Sequence, residues 1–253
     1  MPLLVDGKIT IPLYHGTNLL FYDSIMQYGL GGRNLIKELR VIDLLHDLIG
    51  ICEDSLAADE DWILRMQCAK LIASQEVTGG VFNFRHGSAY LAASIEKAVR
   101  YAVSSEFSSE ALAHFMMLWG RLLDSHVTLP PTLETSSRPI LEFASGRKGP
   151  LVFQLNQVAI AGLTTEEGGD PSASLNFIEP LVSGENSVYE DFLGVANFEI
   201  HEPISVADAS IFRVLRDPSN DSAYAEGYSL VLDREESPFD GATAEVVHRI
   251  RLA

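Results

Sequence analysis

The period of the apolar residues changes along this chain, and that change restricts what it can fold into. Between residues 34 and 78, "NLIKELRVIDLLHDLIGIC" and "DEDWILRMQCAKLIASQE" carry apolar residues at i, i+3 and i+4. This spacing predicts helices throughout the block. The acidic start of the second segment suits a helix N-terminus, and Gly79 and Gly80 close the run. After residue 150 the texture differs. "GPLVFQLNQVAIAGL", "NFIEPLVS", "GVANFEIHEP" and "ASIFRVLRD" read as strands joined by polar loops. The last stretch, "YSLVLDREESPFDGATAEVVHRIRLA", supplies either a strand and a terminal helix or a pair of strands. Helical and strand periods held in separate stretches define an α+β chain.

The flanking segments fit this scheme. Residues 8–14, "KITIPLY", alternate as a short strand that ends on His15, Gly16 and Thr17. A helix then starts near Asn18 and stops at Gly29, with Leu19, Leu20, Tyr22, Ile25, Met26 and Leu30 at helical spacing. Residues 81–94 read as strand, turn, strand, with His86 in the turn. "SIEKAVRYAVSSE" and "SSEALAHFMMLWGRLLDSHV" read as helices, the second capped by Ser108 or Ser109. Residues 128–150 are rich in Pro, Ser, Thr and Gly and read as a loop or linker. The whole, 1–253, reads as one domain, with a helical insertion at about 34–78 and a helix-plus-loop segment at about 106–148.

Composition narrows the function. The formal net charge of −17 repels phosphate backbones and anionic lipid at long range, which disfavours a general nucleic-acid binder. The two cysteines, Cys52 and Cys68, match neither a zinc site nor a disulfide framework and read as buried free thiols on helices. "MPLLVDGKIT" lacks the basic and apolar regions of a secretory leader, and no long apolar run predicts a membrane span, so a cytoplasmic location is expected.

Three islands then carry chemistry. They are Tyr14-His15-Gly16-Thr17 at a strand end, "YLAASIEKAVRY" from Tyr90 to Tyr101, and "NFEIHEPISVADASIF" with Glu199 in a strand. In this order they resemble the ADP-ribosyltransferase superfamily, in the His-Tyr-Glu branch that includes diphtheria toxin and the poly(ADP-ribose) polymerases. The first island reads "LYHGTNLLFYDSIMQYGL" where that family has a "YHGT" or "HGS" strand and a helix closing on "GL". The islands cover about a third of the chain. The resemblance implies a split β-sandwich with a helical insertion, NAD as substrate, and transfer of ADP-ribose to a macromolecular acceptor with release of nicotinamide.

It also implies roles. His15 would bond a hydroxyl of the adenosine ribose, and Gly16 would offer its backbone to the nicotinamide amide, with Thr17 completing the motif. Tyr90 and Tyr101 would sandwich the nicotinamide ring. Offset stacking of that kind is worth roughly 0.5–1.5 kcal/mol beyond burial. Glu199 would bond the nicotinamide-ribose 2′-hydroxyl and favour the positive charge that develops at the anomeric carbon. Ala98 stands where many relatives carry a serine that bonds the nicotinamide amide.

Other assignments come from residue chemistry. Arg33 and Arg85 are the cations best matched to a pyrophosphate, because guanidinium pairs with two phosphate oxygens. In this family the loop before the glutamate reads the acceptor; here it holds Tyr189 and Phe192, with acids between, and ends at Asn197. Asn197 lies two residues before Glu199, where arginine-specific toxins carry Glu or Gln, so arginine is not the expected acceptor. Glu190, Asp191 and Glu202 rival Glu199 as the carboxylate. The favoured reading is mono-ADP-ribosylation of a protein by a toxin or defence effector, with a neutralising antitoxin as a further partner and no membrane. Two alternatives stand beside it: a nucleic-acid acceptor, and an inactive module that binds NAD or a partner without turnover.

Overall fold

A computed structural model describes residues 2–56, 60–75, 77–78, 82–83, 88–182, 196–221, 225–232 and 246–252. Within them the chain forms two compact units. One comprises 1–33, 89–108 and 148–253, the other 34–88 and 109–147.

The first unit opens with a hairpin of β1 (Leu4–Val5) and β2 (Lys8–Ile9). Asp6 and Gly7 turn between them at φ 50° and 72°, the left-handed pair a tight hairpin needs. Strand β3 (Leu13–Asn18) runs into helix α1 (Leu19–Tyr28). The predicted strand at 8–14 is thus two short pieces. His15, Gly16 and Thr17 lie inside β3 rather than past its end. Asn18 caps α1 as expected: its Oδ1 accepts from the backbone N–H groups of Leu20 and Gly149, while its Nδ2 donates to Glu106 O. Gly29 ends the helix at φ 79°; a Cβ there would lie 2.7 Å from Ile204 O.

The second unit is helical. Its elements are α2 (Leu35–Glu38), α3 (Val41–Ser55) and α4 (Glu60–Ser74), then β4 (Val77–Thr78) paired with β5 (Phe82–Asn83). A left-handed Arg40 at φ 55° separates α2 from α3 where the sequence suggested continuous helix. In α3 the predicted stripe Val41, Leu44, Leu45, Leu48, Ile49 and Cys52 is buried. Burial pushes the Cys52 thiol up to about 11, with Glu53 adding to the effect, so it stays protonated and inert. Cys68 is exposed on α4, not buried as expected.

The chain next returns to the first unit with β6 (Tyr90–Ala92) and α5 (Ile95–Val103). It goes back to the second with α6 (Glu110–Asp124) and α7 (Pro131–Ala144). Ser109 caps α6 through the Leu112 N–H, as its position predicted. Helix α7 corrects the reading of 128–150 as a loop. Pro131 sits in its first turn, where proline is tolerated, and Leu133, Ser137, Ile140 and Ala144 form its buried stripe.

The remainder of the first unit comprises β7 (Pro150–Leu155), β8 (Leu163–Thr165), α8 (Pro171–Val182), β9 (Asn197–Ile200), β10 (Ser210–Arg216), β11 (Glu226–Leu232) and β12 (Val246–Leu252). The stretch "NFIEPLVS" was expected to be a strand, yet 176–182 lies in α8. There Leu175 and Ile178 face inward at helical spacing, and Asp170 Oδ1 accepts the Ser172 N–H at the helix start. The terminal stretch resolves as the strand pair β11–β12.

Eight strands make one antiparallel sheet in the order β12-β11-β10-β7-β3-β6-β9-β8. One face packs through Leu13, Leu91, Phe153, Phe198 and Ile200 against Ile25 of α1 and Leu175 and Ile178 of α8. The other packs through Val152, Phe212, Val214 and Leu230 against Ala98, Val99 and Ala102 of α5. Mixed α+β architecture therefore follows from period alternation along the strands. Among the described residues no helix is long and apolar enough to cross a membrane.

Candidate active site

The sheet order brings together three strands from distant parts of the sequence: β3, β6 and β9 are consecutive neighbours. Tyr90 on β6 is the direct cross-strand partner of Glu199 on β9, so their side chains share a face. Thr164 on β8 opposes Glu199 from the other side. Asn197 and Glu199 are two residues apart and share that face as well. Glu199 is only 8 % exposed.

The ladder between β3 and β6 is nearly absent. It has a single pair, Tyr14 opposite Ala92. The pattern of antiparallel bonding explains what faces the opening. The Ile200 N–H donates to Ala89 O at 2.9 Å and the Ala93 N–H to Ala196 O at 3.0 Å. Alternate residues of β6 therefore bond to β9, which turns the peptide groups of Tyr90 and Ala92 toward β3. Ala92 finds Tyr14 there. Tyr90 is the next such position, and its carbonyl instead accepts from His15 Nδ1 at 2.8 Å. The imidazole of one strand thus stands where the ladder to the next would continue.

That bond fixes the imidazole's chemistry. A carbonyl only accepts, so Nδ1 carries the proton. Burial holds the pKa of His15 below the usual histidine range, against the opposing influence of the Tyr90 carbonyl. The ring is neutral near pH 7, and Nε2 is its acceptor. Only one of the two ring nitrogens is therefore left for a further bond. Strand alternation also sets His15 with Leu13 and Thr17, on the side away from Tyr14. His15 reaches Tyr90 through the main chain, whereas Tyr90 and Glu199 meet side by side.

This histidine gives the fold a pH dependence. Unfolded, it takes a proton near 6.5; folded, it resists until lower pH. The stabilisation is complete above that value and is lost as pH falls through the window beneath it. His15→Gln should remove this component. Urea midpoints at about pH 7.5 and about pH 5 should differ more in wild type than in the variant; equal differences would contradict the assignment.

Gly16 has a structural reason for lacking a side chain. A Cβ there would lie 1.8 Å from Ala98 O and 3.1 Å from Ala102 N, because α5 crosses directly over it. Ala98 itself is fully buried in the core beneath α5. Neither observation involves a ligand, and Ala98 offers no hydroxyl to one. Thr17 is buried on β3.

Tyr101 lies on the outer side of α5, 48 % exposed, with the Lys97 ammonium 6.0 Å from its ring centre. Arg33 is exposed beyond α1 with its guanidinium 5.5 Å from the Tyr28 ring centre. Nearby Gly31 abuts Ile200, the residue after Glu199. Arg85, His86, Tyr189, Glu190, Asp191 and Phe192 lie outside the described residues. Glu202 is exposed beyond β9, unlike Glu199.

The sequence reading missed two polar groups, one on this part of the sheet and one between α5 and the residue after β8. Thr164 Oγ1 and His201 Nε2 share a hydrogen bond of 2.7 Å next to Glu199. His201 follows Glu199 by two residues, a signal of period 2 that was legible; Thr164 required the strand register. Lys97 and Glu166 form the other group: burial holds the Lys97 ammonium below the usual lysine range, and Glu166 acts against that.

Compared with protein-family models, with curated proteins and with solved structures, the chain has no match in any of the three.

Proposed function

We propose that the chain is an NAD-dependent mono-ADP-ribosyltransferase with the split β-sandwich of that superfamily, acting on a protein. One observation carries this reading. The histidine, tyrosine and glutamate chosen from three distant sequence islands occur on three consecutive strands, with His15 Nδ1 2.8 Å from Tyr90 O and Tyr90 paired with Glu199. The opening of the ladder between β3 and β6 supports the split fold.

The residues divide the work. His15, whose side chain leaves the sheet on the face opposite that of Tyr90 and Glu199, stands at the opening beside Tyr90 O, where its Nε2 accepts a ribose hydroxyl. Tyr90 supplies an aromatic face to the nicotinamide ring. Glu199, shielded from water, holds the 2′-hydroxyl of the adjoining ribose. Its negative charge favours the positive charge that builds at C1′ as the bond to nicotinamide breaks. The acceptor then attacks C1′ as neutral nicotinamide leaves, and its proton passes to solvent. A water-poor setting strengthens that electrostatic effect.

Ala98 favours a second reading, an NAD-binding module without turnover, since it is buried and lacks the hydroxyl expected of many relatives. Incubation with adenylate-labelled NAD and a cell lysate separates the two. The proposal expects label in macromolecules that protease digestion releases and nuclease digestion does not. Nuclease-released label would move the acceptor to nucleic acid. No labelled macromolecule, with NAD bound but intact, would leave the module.

A further inference from the structure

We infer that Asn197 is a ligand-binding residue of this same site: its side-chain oxygen accepts a hydrogen bond from the nicotinamide-riboside half of NAD. The inference rests on the NAD reading above and adds a residue to it.

Asn197 is 6 % exposed, and its buried Oδ1 has no hydrogen-bond partner among the described residues. Buried polar atoms in folded proteins are nearly always paired, so an orphaned acceptor requires an explanation. Packing does not provide one. Phe198 and Ile200 point to the opposite face and fill the core there. Asn197 points to the face of Glu199 and Tyr90, where a leucine, with the same branching and no polar atom, would avoid the loss of hydration.

The surroundings show what kind of group would satisfy it. Asn197 opposes Ala92, which opposes Tyr14, so this row of the sheet has only a methyl group between a phenol and an amide. Its neighbour along the strand on the same face, Glu199, is an acceptor when ionised and cannot answer another acceptor. The missing partner is a donor. The nicotinamide-riboside half offers two kinds, the carboxamide N–H and the ribose O–H. With Ala98 unable to bond the carboxamide, the amide of Asn197 supplies a polar contact from a different strand.

Calorimetric titrations of NAD, nicotinamide alone and ADP-ribose alone into wild type, Asn197→Leu and Asn197→Ala test this. NAD affinity should fall about tenfold in both variants, the usual scale for losing one buried hydrogen bond. The urea midpoint of ligand-free Asn197→Leu should equal or exceed that of wild type, which a merely structural amide would not allow. Weakened nicotinamide with unchanged ADP-ribose assigns the donor to the carboxamide. Weakened ADP-ribose assigns it to the ribose. Unchanged NAD affinity in either folded variant overturns the inference while the NAD reading stands. Failure of wild type to bind NAD overturns that reading and this inference together. If the leucine variant does not fold, the alanine variant carries the same expectation.

Discussion

Gly16→Ala should destabilise the first unit by roughly 3 kcal/mol, at the upper end for overpacking, or prevent its folding. The new methyl carbon would meet the Ala98 carbonyl oxygen at 1.8 Å and its carbon at 2.7 Å. Both are helix backbone, so no side chain can rotate away. Relief requires α5 to lift from β3, which would expose Ala98, Val99 and Ala102 and the strand residues beneath them. At an ordinary urea dependence, a loss of this size lowers the midpoint by about 1–3 M. An unchanged midpoint would mean that α5 does not lie over Gly16. Gly50 is the control: it has open space around a Cβ and lies within α3, where alanine is the better helix former.

Glu199→Gln should lose about a hundredfold or more in nicotinamide release, the scale seen when one preorganised electrostatic group is removed. Glutamine keeps the shape and can still bond a ribose hydroxyl, so NAD affinity should change by only a few-fold. The separation of these two effects is the informative part. A carboxylate that merely supports the sheet would lower stability and affinity together. Glu199 is nearly enclosed, directly beside Tyr90, and flanked by Thr164. A fixed negative charge there acts on charge that develops during the reaction, more than on the bound ground state.

The legible parts of this molecule were those written in short stretches. Asn18 and Gly29 bracket α1 because capping chemistry is local, and Ser109 starts α6 for the same reason. Tyr90 and Glu199 fell on strands as read, and His15, read at a strand end, lies within one. Where composition competed with period, the period was masked. The prolines, serines and threonines around 131–144 hid the stripe of α7, and the short apolar run at 176–182 served α8 as well as it would a strand. Contacts between distant elements were not legible from local pattern. Gly16 suggested a close backbone approach, and the group that approaches is α5 rather than a ligand. The bond from His15 to the Tyr90 carbonyl spans 75 positions and replaces ladder bonds that no local pattern announces. Thr164 entered the site only through register.

In the proposed function, His15, Tyr90 and Glu199 serve one reaction, cleavage of the bond between nicotinamide and ribose in NAD. Chromatographic measurement of nicotinamide released from NAD by the purified chain tests it most directly, with Glu199→Gln at matched NAD saturation. Wild type should release nicotinamide steadily, and the variant at least about a hundredfold more slowly. Equal rates from the two proteins, or no nicotinamide from wild type at any NAD concentration with or without lysate, would contradict it.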